Sequence, residues 1–328
     1  MVDYITYQDT IIFGPNYNKL IELELLQTYN KIIFSDYELT DNLFLKYSNN
    51  DFKDLQVCCS EFNKHIKLPP NVTYLHFGYK FNQPIVLSPN LTHITFGYKF
   101  NQPIVLPQNL THLTFGDYFN QPVVLPENLT HLTFGSCFNQ PVKLPEKLTQ
   151  LTFGYYFNQS VELSKNITHL TFNKHFNKQV ILSPNITHLT FGQEFNQPIE
   201  LTEKITHLTF GDIFNQPVKL PENITHLTFG FCFNQPLVLS ENITHLTFGQ
   251  EFNQKVDMPL GIKYLKLDND ESHNLDYLPV GIEVLELDKY FYSPLDNLPN
   301  SLLVIKLYAN YMGSLKSIPT KTKIKYYY

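Results

Sequence analysis

The chain repeats itself every 19 residues. Phe-Asn pairs begin at Phe62, Phe81, Phe100, Phe119, Phe138, Phe157, Phe176, Phe195, Phe214, Phe233 and Phe252. A representative unit runs Asn109-Leu110-Thr111-His112-Leu113-Thr114-Phe115-Gly116, then two variable residues, then Phe119-Asn120-Gln121-Pro122-Val123-Val124-Leu125-Pro126. No insertion shifts the phase, so each residue must stack on its copy in the next unit. A short, constant period of this kind specifies a solenoid.

The unit's own chemistry sketches the coil. His112, Leu113, Thr114 and Phe115 alternate polar and apolar, the pattern of a half-buried strand. Leu113 and Phe115 point inward, His112 and Thr114 outward. One strand per coil gives a single parallel sheet along one face. Leu110, Phe119, Val123 and Leu125 supply the remaining core positions. Pro122 and Pro126 exclude a helix on the return side, and 19 residues leave no room for one. The chain holds a single alanine, Ala309, and so lacks the best helix former. Glycine follows the strand at Gly78, Gly97, Gly116, Gly135, Gly154, Gly192, Gly211, Gly230 and Gly249, with Asn173 in the one gap. Gly and Asn tolerate left-handed backbone better than other residues, which predicts a turn with positive φ there.

The repeat decays towards both ends. Residues 262–268, 282–288 and 302–308 keep the strand and lose the Phe-Asn pair. At the front, Tyr17-Asn18 reads as a worn Phe-Asn, and Ile32–Phe34 and Leu55–Val57 read as two further strands. The predicted organisation is degenerate repeats or cap over 1–57, regular repeats over 58–256, and degenerate repeats or cap over 257–328. About sixteen coils are expected. The tail from Lys321 to Tyr328 reads as a frayed cap.

The Leu-x-x-Leu-x-Phe strand resembles a compact leucine-rich repeat. Phe-Asn-Gln-Pro, intact at Phe81, Phe100, Phe119, Phe138, Phe195, Phe214 and Phe233, is similar to the FNIP repeat. That family is named for Phe-Asn-Ile-Pro and is known from social amoebae and from giant viruses that infect amoebae. The third position departs, with Gln for Ile, and the proline is lost at Ser160, Gln179 and Lys255. The resemblance implies an all-β, leucine-rich-repeat-like solenoid with one parallel sheet, 19-residue coils and no convex helices. It carries no catalytic activity. Some relatives bear an N-terminal F-box, which implies a role as substrate receptor of a ubiquitin ligase; residues 1–50 read instead as degenerate repeats.

Charge narrows the partner class. Lys plus Arg number 24 against 30 Asp plus Glu, a formal net charge of −6, and no residue is Arg. Nucleic acid is therefore not expected. No run of about 18 apolar residues suggests a membrane span, and Met1–Thr10 lacks a signal-peptide pattern. Cys58, Cys59, Cys137 and Cys232 make no disulfide framework. These features predict an intracellular, cytoplasmic protein, in the host cytoplasm if the source is viral.

Two rows carry the candidate chemistry. His93, His112, His131, His169, His188, His207, His226 and His245 share one outward register, with Tyr74 and Gln150 on two further rungs. Mutual repulsion should hold these imidazoles neutral at pH 7. The row reads as stacking on a sheet face or as a strip that binds a partner. No metal site is expected, because Cys and Asp are absent from it. The second row is the variable pair before each Phe, where Tyr79, Tyr98, Tyr118, Tyr155 and Tyr156 fall. Variation on a fixed scaffold suits partner binding, and tyrosine suits protein contacts. Asn-x-Thr sequons recur at one repeat position, which assigns them a turn role. No nucleophile, base and orienter converge, so neither an enzyme nor a cofactor is predicted. The expected function is a non-catalytic scaffold for an unknown protein partner, through the sheet face and the variable edge. The alternative is a ubiquitin-ligase substrate receptor without an F-box.

Overall fold

The computed structural model describes residues 3–40, 42–49, 56–268, 278–289, 291, 295, 298–311, 315 and 318–327. The chain forms two compact units, Met1–Ser164 and Lys165–Tyr328. Both are built from parallel β-coils of the leucine-rich-repeat type with very little helix.

The first unit opens with β1 (Tyr4–Tyr7) and β2 (Thr10–Phe13), an antiparallel hairpin. After α1 (Leu23–Leu26), β3 (Lys31–Phe34) pairs parallel to β2. α2 (Leu43–Asn49) follows. The regular strands β4 (Tyr74–His76), β5 (His93–Thr95), β6 (His112–Thr114), β7 (His131–Thr133) and β8 (Gln150–Thr152) then extend the parallel ladder. Each carries a buried residue between two half-buried or exposed ones, as the alternation predicts.

The second unit runs through β9 (His169–Thr171), β10 (His188–Thr190), β11 (His207–Thr209), β12 (His226–Thr228) and β13 (His245–Phe248). It continues through β14 (Tyr264–Leu267), β15 (Val284–Leu287), β16 (Val304–Tyr308) and β17 (Lys323–Tyr327), all parallel. The tail is thus a paired strand and not a frayed end. At the front, β3 pairs directly with β4. Val57 makes only an isolated antiparallel bridge to Tyr37, while Leu55 lies outside the described residues. Among the described residues, the segment between β3 and β4 adds no parallel strand; part of it forms α2, which packs over Ile12 and Ile33.

Two phenylalanines per coil fill the core. Phe115 and Phe119 stack face to face at 3.8 Å, and both are buried. Their copies recur at 5.6 Å (Phe115–Phe134) and 6.1 Å (Phe119–Phe138). Each buried ring contributes about 1.5–3 kcal/mol of burial. Leu110 and Leu125 are buried as expected, and Val123 is half-buried.

The Asn of each Phe-Asn pair holds consecutive coils together. Asn120 Oδ1 accepts the backbone N–H of Asn139 at 2.9 Å and the side-chain amide of Gln140 at 3.2 Å. Gln in place of Ile at the third position thus adds a donor to every rung that carries it; Lys64 and Lys178 stand at the other two. The ladder reaches the worn front copy, where the Asn63 N–H bonds to Asn18 Oδ1 at 3.2 Å.

The glycine row corrects the sequence reading. Among the described residues, no glycine has positive φ. The constraint is steric: a Cβ on Gly97 would lie 1.8 Å from the Gly78 carbonyl oxygen, and one on Gly116 would lie 1.9 Å from that of Gly97. Successive coils touch backbone to backbone at this corner. Asn173 occupies the same place and keeps the local turn, with the Phe176 N–H bonded to its carbonyl.

Candidate interaction surface

Three outward surfaces line the coils, and the sequence reading singled out two of them. The histidine row lies on the sheet face, and the register pairs His93 with His112 and His112 with His131. The second unit repeats it from His169 to His245. Rings stack 4.1 Å apart in the first unit and 4.1–4.3 Å in the second. Copies of the Phe119 position repeat at about 6 Å. Within each unit the coils are therefore wedges, narrower on the sheet face.

A threonine orients each imidazole. Thr111 Oγ1 lies 2.9 Å from His112 Nδ1 and 3.0 Å from the Thr92 carbonyl. The same pair recurs from Thr92–His93 to Thr244–His245. Ring orientation is thus fixed and uniform. Stacked rings aim their lone pairs in parallel, which does not converge on a metal ion. Among the described residues no cluster of three or more His, Cys, Asp or Glu is placed to hold one.

Burial first, and neighbouring imidazoles second, lower the pKa of five histidines of the row. His112 and His226 are pushed down to about 4. His188 and His207 are lowered by the same causes, and His93 by burial, His131 and Lys31. The repulsion read from the sequence is present but secondary to desolvation. His76, outside this register and overlooked in the sequence, is also pushed to about 4 by burial. Tyr47 of α2 packs edge-on to its ring at 5.2 Å.

The variable pair lies where each strand leaves the sheet. Its backbone is tied from coil to coil, by Lys99 N–H to Tyr79 O, Tyr118 N–H to Tyr98 O, Cys137 N–H to Asp117 O and Tyr156 N–H to Ser136 O. Tyr79 and Tyr98 stack at 4.7 Å and 5°, and Tyr118 continues the row 4.9 Å from Tyr98. Lys99 Nζ stands 5.7 Å from the Tyr79 ring centre. Tyr155 and Tyr156 meet edge to face at 4.8 Å. The structure thus makes two groups of the five tyrosines, separated by the Ser136–Cys137 coil.

The sequon asparagines are structural. Asn109 Nδ2 donates to the Pro89 carbonyl and Asn128 Nδ2 to that of Gln108, 20 residues back. The copies at Asn185, Asn223 and Asn242 do the same.

The third surface, on the return side, escaped the sequence reading. Val86, Val105 and Val124 are 87–88% exposed. A groove of about 620 Å³ lies beside Val86 and Val105, and one of about 690 Å³ lies beside Val238 in the second unit. Lys143, Glu162, Glu200 and Lys219 hold the same repeat position as Val124 in other coils, which marks it as outward-facing. No helix among the described residues is long and apolar enough to cross a membrane.

Comparison with known proteins agrees with this geometry. No curated protein matches the chain. A solved structure of CroV588, a circular leucine-rich-repeat protein of the giant virus CroV, is similar over 99% of this chain at 30% identity, with a TM-score of 0.70. This chain spans 60% of that protein's length. A leucine-rich-repeat protein from Bacteroides ovatus ATCC 8483 aligns at 13% identity over 100% of this chain and 91% of its own, with a TM-score of 0.30. The FNIP Repeat model matches residues 62–99, 81–117, 100–137, 119–156, 138–163, 178–201, 196–232 and 233–270. Those matches cover more than half of the 328 residues, and the chain belongs to the FNIP repeat family.

Proposed function

We propose that this chain is a non-catalytic scaffold that binds a protein partner along the strand-exit edge and the adjoining histidine face. The observation that carries this reading is the Tyr79–Tyr98–Tyr118 row, three aromatic rings on a backbone bonded coil to coil. Rigid aromatic side chains on an ordered frame lose little conformational freedom on binding, and tyrosine is enriched where proteins touch. Tyr118, Tyr155 and Tyr156 are exposed. The regular coils also repeat the histidine and threonine of the sheet face, whereas catalysis calls for a singular constellation.

The test is affinity purification from the native host, comparing the intact chain with one in which Tyr79, Tyr98 and Tyr118 are changed to Ser. A partner recovered with the first and lost with the second, at equal melting temperature, supports the reading. Equal recovery by both removes the tyrosine edge from it. Ligase adaptors among the lost partners would favour the substrate-receptor role.

A further inference from the structure

The regular coils are open, but the first strands of the ladder are roofed. Register places Thr10, Lys31, Tyr74 and His93 on consecutive rungs of one outward row. α2 and the Tyr7–Thr10 turn stand beside this row and enclose a cleft of about 570 Å³. That volume lies in the range of small-molecule sites.

The cleft is amphipathic. Phe44, Leu45 and Tyr7 form apolar walls, and Leu45 and Tyr7 remain 65% and 58% exposed. Lys31 and Tyr74 supply the polar groups. Asp9 Oδ1 accepts a hydrogen bond from Thr10 Oγ1 at 3.1 Å and forms a loose ion pair with Lys31 Nζ at 3.7 Å, beyond hydrogen-bond distance. Neither Lys31 Nζ nor the Tyr74 hydroxyl is hydrogen-bonded among the described residues. Burial raises the Tyr74 pKa, so its hydroxyl stays a donor at neutral pH. His93 is held neutral and adds no charge. Asp9 is the one carboxylate among the described lining residues.

We propose that this cleft binds an amphipathic organic anion, with a carboxylate or sulfonate head at Lys31 and Tyr74 and an apolar body against Phe44, Leu45 and Tyr7. A cation and a neutral donor two rungs deep match such a head. The exposed walls match a flat ring or short alkyl chain. The site is separate from the tyrosine edge and stands without the scaffold reading.

The test is a fluorescence titration of the whole chain with 8-anilinonaphthalene-1-sulfonate, with decanoate as competitor. One saturable site per chain, displaced by decanoate, is expected. Lys31→Gln should weaken binding at least tenfold, and Asp9→Asn should tighten it by removing the opposing charge. Leu45→Gln, at an exposed position that the fold does not need, should weaken it several-fold. Melting temperatures confirm that each variant is folded. Absence of a saturable site overturns the proposal, as does binding indifferent to both Lys31→Gln and Leu45→Gln. Weaker binding by Asp9→Asn would show that Asp9 does not oppose the anionic head and would overturn its placement at Lys31. Loss on Val105→Ser instead of Leu45→Gln would move the probe to the return-side groove and overturn the assignment.

Discussion

Asn120 has a copy in all eleven Phe-Asn coils and Gly116 in nine, for different reasons. Asn120 Oδ1 accepts from both the Asn139 N–H and the Gln140 amide. Asn120→Ala leaves both donors without that acceptor, and the expected cost is about 1–3 kcal/mol, read from chemical denaturation. Gln140→Ala removes one donor only and should cost less. Gly116→Ala would place a Cβ 1.9 Å from the Gly97 carbonyl oxygen. Backbone cannot yield as a flexible side chain does, so a loss of about 3 kcal/mol is expected, against almost none for Glu127→Ala, an exposed residue of the same coil, in the same denaturation series. The Asn ladder was legible because its chemistry repeats with the sequence. The reason for glycine was not, because the clash is with a residue 19 positions earlier, and local conformational preference points instead to φ.

The strands carry the pH dependence. In β6 and β12, His112 and His226 titrate near 4 when folded and near 6.5 when unfolded. The unfolded chain therefore binds more protons between those values, and stability falls as pH falls through that window. It is fully present above about pH 6.5. The melting temperature should drop between pH 7 and pH 5. The double variant His112→Gln, His226→Gln should show a shallower drop, since Gln150 already occupies a rung of this row in β8. A wild-type melting temperature unchanged across that range contradicts this account. The sequence exposed the row and the repulsion between its imidazoles. It did not expose burial as the main cause, which depends on how closely the rings pack at 4.1 Å and on the threonine beside each one.

At the scale of whole coils, each coil contacts its neighbours, so stability in such arrays is close to a sum of coil and interface contributions. Deleting Asn101–Phe119, one full period of the first unit, should leave a cooperative melt and an unchanged β-type circular dichroism per residue, with a modestly lower melting temperature. Deleting only Asn101–Leu110 breaks the phase of the Phe and Asn ladders and should abolish the cooperative transition. Thermal melts monitored by circular dichroism separate the two outcomes. From the sequence alone came the period, the strand in each coil, the inward phenylalanines, the Asn ladder and the histidine row. These rest on contacts between residues 19 apart, and any interaction between identical neighbours leaves its mark as self-similarity. Only the tertiary structure decided that β3 pairs with β4 across residues 35–73, that α2 roofs Lys31 and Tyr74, and that the five tyrosines form two groups. The cap contacts occur once, between segments with no copies, and burial depends on how much space the wedge of each coil leaves. Neither has a period for the sequence to display.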